Sequence, residues 1–115
     1  MCAAAALANL RVLKQGNYLS NARMIESHTR AILQGPGIVE IRGKGAMLGL
    51  ELESRELTQR VVEDCFEQGI LLGWTLHSNT LVRLAPPLII DQNLLVQTLE
   101  IIKKSIQKNR NEFAN

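Results

Sequence analysis

The segment "LVRLAPPLI" (residues 81–89) places Arg83 inside an apolar run that ends in two prolines. An unpaired guanidinium buried in a core strand costs several kcal/mol, so Arg83 must reach water or meet an acid. A planar cation fixed near a strand end, ahead of the rigid Pro86-Pro87 exit, suits bidentate recognition of a carboxylate. The ordinary alternative is a strand-end arginine paired with a surface carboxylate. The chain shows no obvious internal partner, which points to a ligand or another domain as the acceptor.

The other residues of chemical interest carry weaker patterns. "GKGAMLG" (43–49) has the glycines and lysine of a phosphate loop but not its spacing, which needs four residues before a Gly-Lys-Ser/Thr. Its glycines lead into a strand, whereas anion cradles lead into a helix N-terminus. A tight turn or bulge between strands accounts for them, with Lys44 an exposed turn residue. His28, mid-helix, and His77, in the loop "TLHSN", share no spacing that would mark a metal site. Ser78 beside His77 lacks the third orienting group of a nucleophilic triad. Both histidines are assigned plain surface and loop roles. Trp74, just before that loop, is assigned to core packing, with anchoring the loop or lining a cleft as alternatives. Cys2 and Cys65 are the only cysteines. They form neither a metal motif nor a disulfide framework and read as small buried residues in a reducing compartment.

Composition narrows the function classes. A chain of 115 residues suits one compact domain. With only 3% aromatic residues, its core must be built from Leu, Ile, Val and Ala. The net charge is +2, with Lys103, Lys104, Lys108 and Arg110 gathered near the C-terminus. No aromatic platform is interleaved with them, so nucleic acid is not expected as a partner, and a cationic last turn complementing the helix dipole explains them better. The start "MCAAAALANL" lacks the basic region of a signal peptide. No apolar run approaches the ~18 residues of a membrane span, so a soluble, cytoplasmic protein without membrane partners is expected.

The elements that would hold Arg83 follow from periodicity. Residues 2–14 read as an alanine-rich helix already under way at Met1, without a capping residue, as in a chain cut from something longer. Gly16 is a plausible stop, and Asn17 caps a second helix to about Leu33, whose apolar face is Ala22, Ile25, Thr29, Ile32 and Leu33. "IVEIRG" and "AMLGLELE" are strand-like, and the second turns Ala46, Leu48, Leu50 and Leu52 to one face and Met47, Gly49, Glu51 and Glu53 to the other. Ser54 starts a third helix, closed by Gly69, with a stripe of Leu57, Val61, Cys65 and Phe66. "ILLGW" and "TLVRLAP" are short strands, the latter ended by Pro86-Pro87. Asp91 caps a last helix with Leu95, Leu99, Ile102 and Ile106 on its stripe, and "NRNEFAN" should fray. The expected fold is α+β: a small, mostly antiparallel sheet of three to four strands with helices packed on one face.

"RGKGAMLGLEL", followed about thirty residues later by "LVRLAPPLII", resembles the C-terminal small domain of class III pyridoxal-phosphate aminotransferases, the acetylornithine and ornithine aminotransferases above all. "MCAAAALANLRVL" is similar to the alanine-rich helix that links the large and small domains of that family. The resemblance covers the whole chain but only the last quarter to third of a family member. It implies that residues 1–16 end the linking helix from a missing large domain and that 17–115 form the small domain of a fold-type I aminotransferase. It further implies that Arg83 contacts the substrate carboxylate, or pairs with a large-domain glutamate until a dicarboxylate displaces it. The implied reaction moves an amino group from an ω-amino donor to 2-oxoglutarate in a homodimer. Pyridoxal phosphate is expected in the full-length enzyme and not on this chain alone: the Schiff-base lysine, the aspartate facing the pyridine nitrogen and the phosphate loop lie in the family's large domain. No catalytic role passes to Lys44. The alternatives are a stand-alone, non-catalytic binding or interaction domain of the same fold, or an unrelated regulatory domain that binds small acids.

Overall fold

The computed structural model describes residues 1–74 and 78–114. Among them are helices α1 (Cys2–Gln15), α2 (Tyr18–Ile32), α3 (Arg55–Glu67) and α4 (Gln92–Ala114), and strands β1 (Ile38–Lys44), β2 (Met47–Leu52), β3 (Gly73–Trp74) and β4 (Leu81–Leu84). The strands form one sheet in the order β1-β2-β4-β3, antiparallel at every pair. This is the expected α+β fold. β2 and β4 are neighbours although α3 and β3 lie between them in sequence.

Alternation along β2 works as its sequence implies. Leu48, Leu50 and Leu52 are buried beneath the helices, and Met47, Gly49 and Glu51 point to the opposite face. In β4, Val82 and Leu84 join the core, which places Leu81 and Arg83 outside. The helices close the inner face with Ile25, Leu33, Leu57, Val61 and the full α4 stripe of Leu95, Leu99, Ile102 and Ile106. Each such side chain contributes roughly 1.5–3 kcal/mol relative to exposure. No alanine belongs to this buried set; the alanines crowd instead into α1, of which no residue is buried.

Helix ends are set by side chains. Ser54 accepts the Leu57 amide at 3.2 Å, and Asp91 accepts the Asn93 amide at 3.1 Å, so both expected N-caps form. Asn17 occupies the cap position of α2 without a side-chain bond. Gly16 ends α1 in an extended rather than left-handed conformation. Its requirement is steric: a Cβ there would lie 2.3 Å from the Tyr18 ring.

Several expectations need correction. Phe66 is 67% exposed, and Thr58, not Phe66, completes the buried face of α3; at 3.6 residues per turn Thr58, Val61 and Cys65 stay within about 100° of Leu57, whereas Phe66 lies about half a turn away from it. Cys2 is exposed on α1, while Cys65 is buried. Of the C-terminal segment expected to fray, residues 109–112 are held in α4. Asn109 is buried and donates to the Ser105 carbonyl at 2.8 Å, Arg110 pairs with Glu53 at 3.0 Å, and Arg60 pairs with Glu112 at 3.0 Å. Lys108 lies 4.0 Å from Asp64 of α3. These basic residues therefore sit inside a longer helix and face acids on other elements, so the dipole account fails. The strand expected over 70–74 pairs only at Gly73 and Trp74.

The β1–β2 turn carries the "GKG" glycines, with positive φ at Gly43 (+111°) and Gly45 (+58°). The bulge lies elsewhere, between Ile38 and Glu40. Glu26 of α2 accepts the Gly45 amide at 2.8 Å and pairs with Arg30 at 3.0 Å, which holds its carboxyl below the usual range. Arg30 then donates to the Ile41 and Gly43 carbonyls at 2.9 and 3.0 Å. The free edge of β1 is thereby covered. No helix among the described residues is long and apolar enough to cross a membrane.

Candidate functional site

Arg83 lies on the outer face of the sheet, away from the helices. Its direct neighbours across the ladder are Gly49 on β2 and Gly73 on β3. One strand further, Arg42 of β1 stands opposite Gly49. Directly opposed residues share a face, so the row Arg42, Gly49, Arg83, Gly73 crosses the sheet with two arginines alternating with two bare positions. The Arg83 side chain lies over Gly73, whose missing Cβ would stand 3.3 Å from its Nε and 3.5 Å from its Nη2. A side chain at 73 would lift the guanidinium off the sheet.

Arg83 is exposed, and among the described residues no carboxylate comes within ion-pair distance of it and no side-chain hydrogen bond engages it. The guanidinium is thus a free planar donor on an open floor, a geometry suited to a carboxylate arriving from outside the sheet.

Acids do lie close by. The row adjacent to Arg83 holds Glu40, Glu51 and Leu81. Arg42 binds Glu40 at 2.9 Å and Glu51 at 3.1 Å, and its proton is held more firmly as a result, chiefly through the Glu40 bond. The other Glu51 oxygen accepts the Thr80 hydroxyl. Thr80 in turn meets Ser78, its hydroxyl 3.1 Å from the Ser78 oxygen and its amide donating to that oxygen at 3.2 Å. Trp74 donates its indole N–H to the Asn79 carbonyl at 2.8 Å, so it anchors the loop instead of filling the core.

The expectation that Arg83 has no internal partner therefore needs sharpening. Glu51, read from the sequence only as an outward-facing residue, sits diagonally across from it but is engaged elsewhere. Glu51, Arg42, Thr80 and the two glycines were missed as site residues because β2–β4 pairing is invisible to local periodicity. The outward position of Glu51 on β2 was the one available signal.

Other candidates separate from this site. His28 donates its Nδ1–H to the Met24 carbonyl (2.9 Å) and accepts at Nε2 from the Gln92 side-chain amide (3.2 Å), so it tethers α2 to α4. His77 lies outside the described residues. The described residues contain no cluster of three or more potential metal ligands. Beside Arg83, where β3 diverges from β4, a cavity of about 360 Å³ opens among apolar residues including Ile70, Leu72, Leu84 and Pro86. Lys44 is exposed on its turn, and the adjacent Glu26 is committed to Gly45 and Arg30. No described lysine combines burial with an anion cradle and a facing carboxylate, so these residues do not fit a pyridoxal-phosphate site.

Residues 1–106 match the family profile described as Aminotransferase class-III. Acetylornithine aminotransferase 1 of Bordetella bronchiseptica is 33% identical over 113 residues, covering 94% of this chain and 28% of that protein. The (R)-1-hydroxy-2-aminoethylphosphonate ammonia-lyase of Vibrio splendidus is 31% identical over 123 residues, covering 96% of this chain and 25% of that protein. Among solved structures, the ornithine aminotransferase of Toxoplasma gondii superposes with a TM-score of 0.80 at 29% identity, over 96% of this chain and 27% of that one. The chain spans about a quarter of the length of these relatives.

Proposed function

The chain belongs to the class-III aminotransferase family, and on that premise we propose that it is the C-terminal small domain of a pyridoxal-phosphate-dependent aminotransferase. Arg83 is its contribution to the site, an anchor for the carboxylate of the substrate. The proposed reaction moves an amino group from an acetylornithine- or ornithine-like ω-amino donor to 2-oxoglutarate. The observation that carries this reading is the free guanidinium of Arg83 on the glycine-flanked outer face. The cofactor supplies the electron sink when bound, and its lysine, phosphate cradle and pyridine partner belong to the large domain that the longer relatives have room for. Here the chain's own residues only bind and orient: Arg83 fixes one end of the acid, and the sheet excludes water from beneath it.

A further feature fits. Helix α1 exposes Leu7, Leu10, Val12 and Leu13, an apolar surface suited to continuation into a large domain. A cytoplasmic homodimer is the assembly proposed for the whole enzyme. The choice of donor is supported by the acetylornithine and ornithine aminotransferases among the relatives.

The test uses the protein expressed from the complete reading frame that contains these residues. Arg83→Ala is expected to raise KM for 2-oxoglutarate roughly 10- to 100-fold, as for the loss of a charged hydrogen-bonded pair, while cofactor absorbance is unchanged. Unchanged KM for every acid substrate would refute the anchor. A frame encoding only these residues would favour the stand-alone binding module.

A further inference from the structure

We propose that Arg42 and Thr80 are positioning residues that keep Glu51 from capturing Arg83, so that the guanidinium stays free for an external carboxylate. The proposal rests on the reading of Arg83 as a carboxylate anchor, and it adds two residues and a competing acid to that site.

The register places the competition. Glu51 stands opposite Leu81, and Arg83 is two residues further along β4 on the same face. Such diagonal neighbours lie about 7–8 Å apart at Cα, within reach of side chains as long as glutamate and arginine. Between them lies Gly49, opposite Arg83 and without a side chain to separate the two charges. A carboxylate facing an unpaired guanidinium across an open floor should close onto it, because the planar fork matches its two oxygens. It does not do so here.

The reason is visible at both oxygens of Glu51. One is 3.1 Å from Nη2 of Arg42 on the far strand, and the other accepts the Thr80 hydroxyl. The glutamate side chain is only 19% exposed, so it is packed as well as bonded. Arg42 is itself steadied by Glu40 at 2.9 Å, which sets its guanidinium toward β2. The two ties pull Glu51 toward β1 and toward the start of β4, both away from Arg83. Loss of either releases an acceptor that has one strong donor within reach. An anchor occupied by an internal acid is lost in proportion to its occupancy: with half to nine-tenths of the population paired, apparent affinity for an external acid falls about two- to tenfold.

The test reads the side-chain Nε–H resonance of Arg83 in isotope-labelled protein, assigned by its absence in Arg83→Ala. In the absence of any ligand, Arg42→Ala is expected to move this resonance to an ion-paired position, and Arg42→Ala/Glu51→Gln is expected to return it to the wild-type position. A purely structural role for Arg42 would not be reversed by neutralising Glu51. Thr80→Val is expected to move the signal the same way by less, and it serves as the deciding variant if Arg42→Ala does not give a native amide spectrum. An unmoved Arg83 signal in a folded Arg42→Ala or Thr80→Val protein overturns the proposal, as does a shift that persists in the double variant. Titration of the wild type with succinate, a four-carbon dicarboxylate, is read separately. A saturable shift at Arg83 supports the anchor reading and its absence counts against it, whereas the ligand-free shift in the variants decides the role of Arg42 and Thr80.

Discussion

The β1–β2 hairpin carries Arg42 followed by Gly43, and replacing that glycine by alanine tests how rigidly the frame is made. Gly43 has φ +111°, and an added Cβ would lie 2.1 Å from the Met47 carbonyl oxygen and 3.2 Å from the Leu48 Cα. Gly35 offers a matched control, because its φ is +123° but nothing lies within 4 Å of its Cβ position. Both substitutions incur about 1–2 kcal/mol for an L-residue at positive φ and regain about 0.4–1 kcal/mol from a stiffer unfolded chain. Only Gly43→Ala must also push back a backbone oxygen by about 1 Å, an atom that cannot swing away as a side chain does. That movement opens the Lys44–Met47 pair at the end of the ladder and sacrifices one or two hydrogen bonds at about 1 kcal/mol each. The expected loss is about 2–3 kcal/mol for Gly43→Ala and about 0.5–1 kcal/mol for Gly35→Ala. Urea unfolding followed by the fluorescence of the single tryptophan, with equal m-values for all three proteins, measures the difference. Two variants within about 0.5 kcal/mol of each other would refute the steric argument, leaving only the backbone dihedral as the reason for glycine.

Two further outcomes follow from titratable groups. Glu26 is held below the usual carboxylate range, first by the Gly45 amide and then by Arg30. A carboxyl depressed in the folded state contributes stability above its unfolded pKa, near 4.5, and loses it as pH falls through the lower folded value. The gap in urea midpoint between wild type and Glu26→Gln should therefore shrink below about pH 4.5; a gap independent of pH would show that the carboxylate charge is irrelevant there. The Cys65 thiol is pushed up to about 11 by burial, with a Ser105 hydrogen bond opposing the shift. At pH 8 a thiol reagent should consume one equivalent quickly, at the exposed Cys2, and the second only on unfolding in urea. Native-state labelling of Cys65 at a rate within tenfold of Cys2 would contradict its place in the core.

The family likeness of the two motifs was legible from the residues, and so was Arg83 as a charge out of place in an apolar run. The local periods were equally plain. The period of two in "MLGLEL" separates Leu48, Leu50 and Leu52 from Gly49 and Glu51, and the period of 3.6 in α4 aligns Leu95, Leu99, Ile102 and Ile106. The caps at Ser54 and Asp91 are likewise local, each a side chain within three residues of the amide it accepts.

What these patterns leave open is which elements meet. Nothing in "LVRLAPPL" says that β4 lies beside β2, since that pairing crosses an intervening helix and strand and is decided by how α3 and α4 cover the inner face together. Once it is decided, Gly49 and Gly73 flank Arg83, Glu51 comes within reach of it, and Arg42 and Thr80 hold Glu51 back. The same packing buries Thr58 in preference to Phe66 and secures the end of α4 through Asn109, Arg110 and Glu112. The sequence alone determined which face of each element is apolar, because that depends on residues a few positions apart. Only the tertiary structure decided what stands around Arg83, because cross-strand register depends on contacts between residues far apart in the chain.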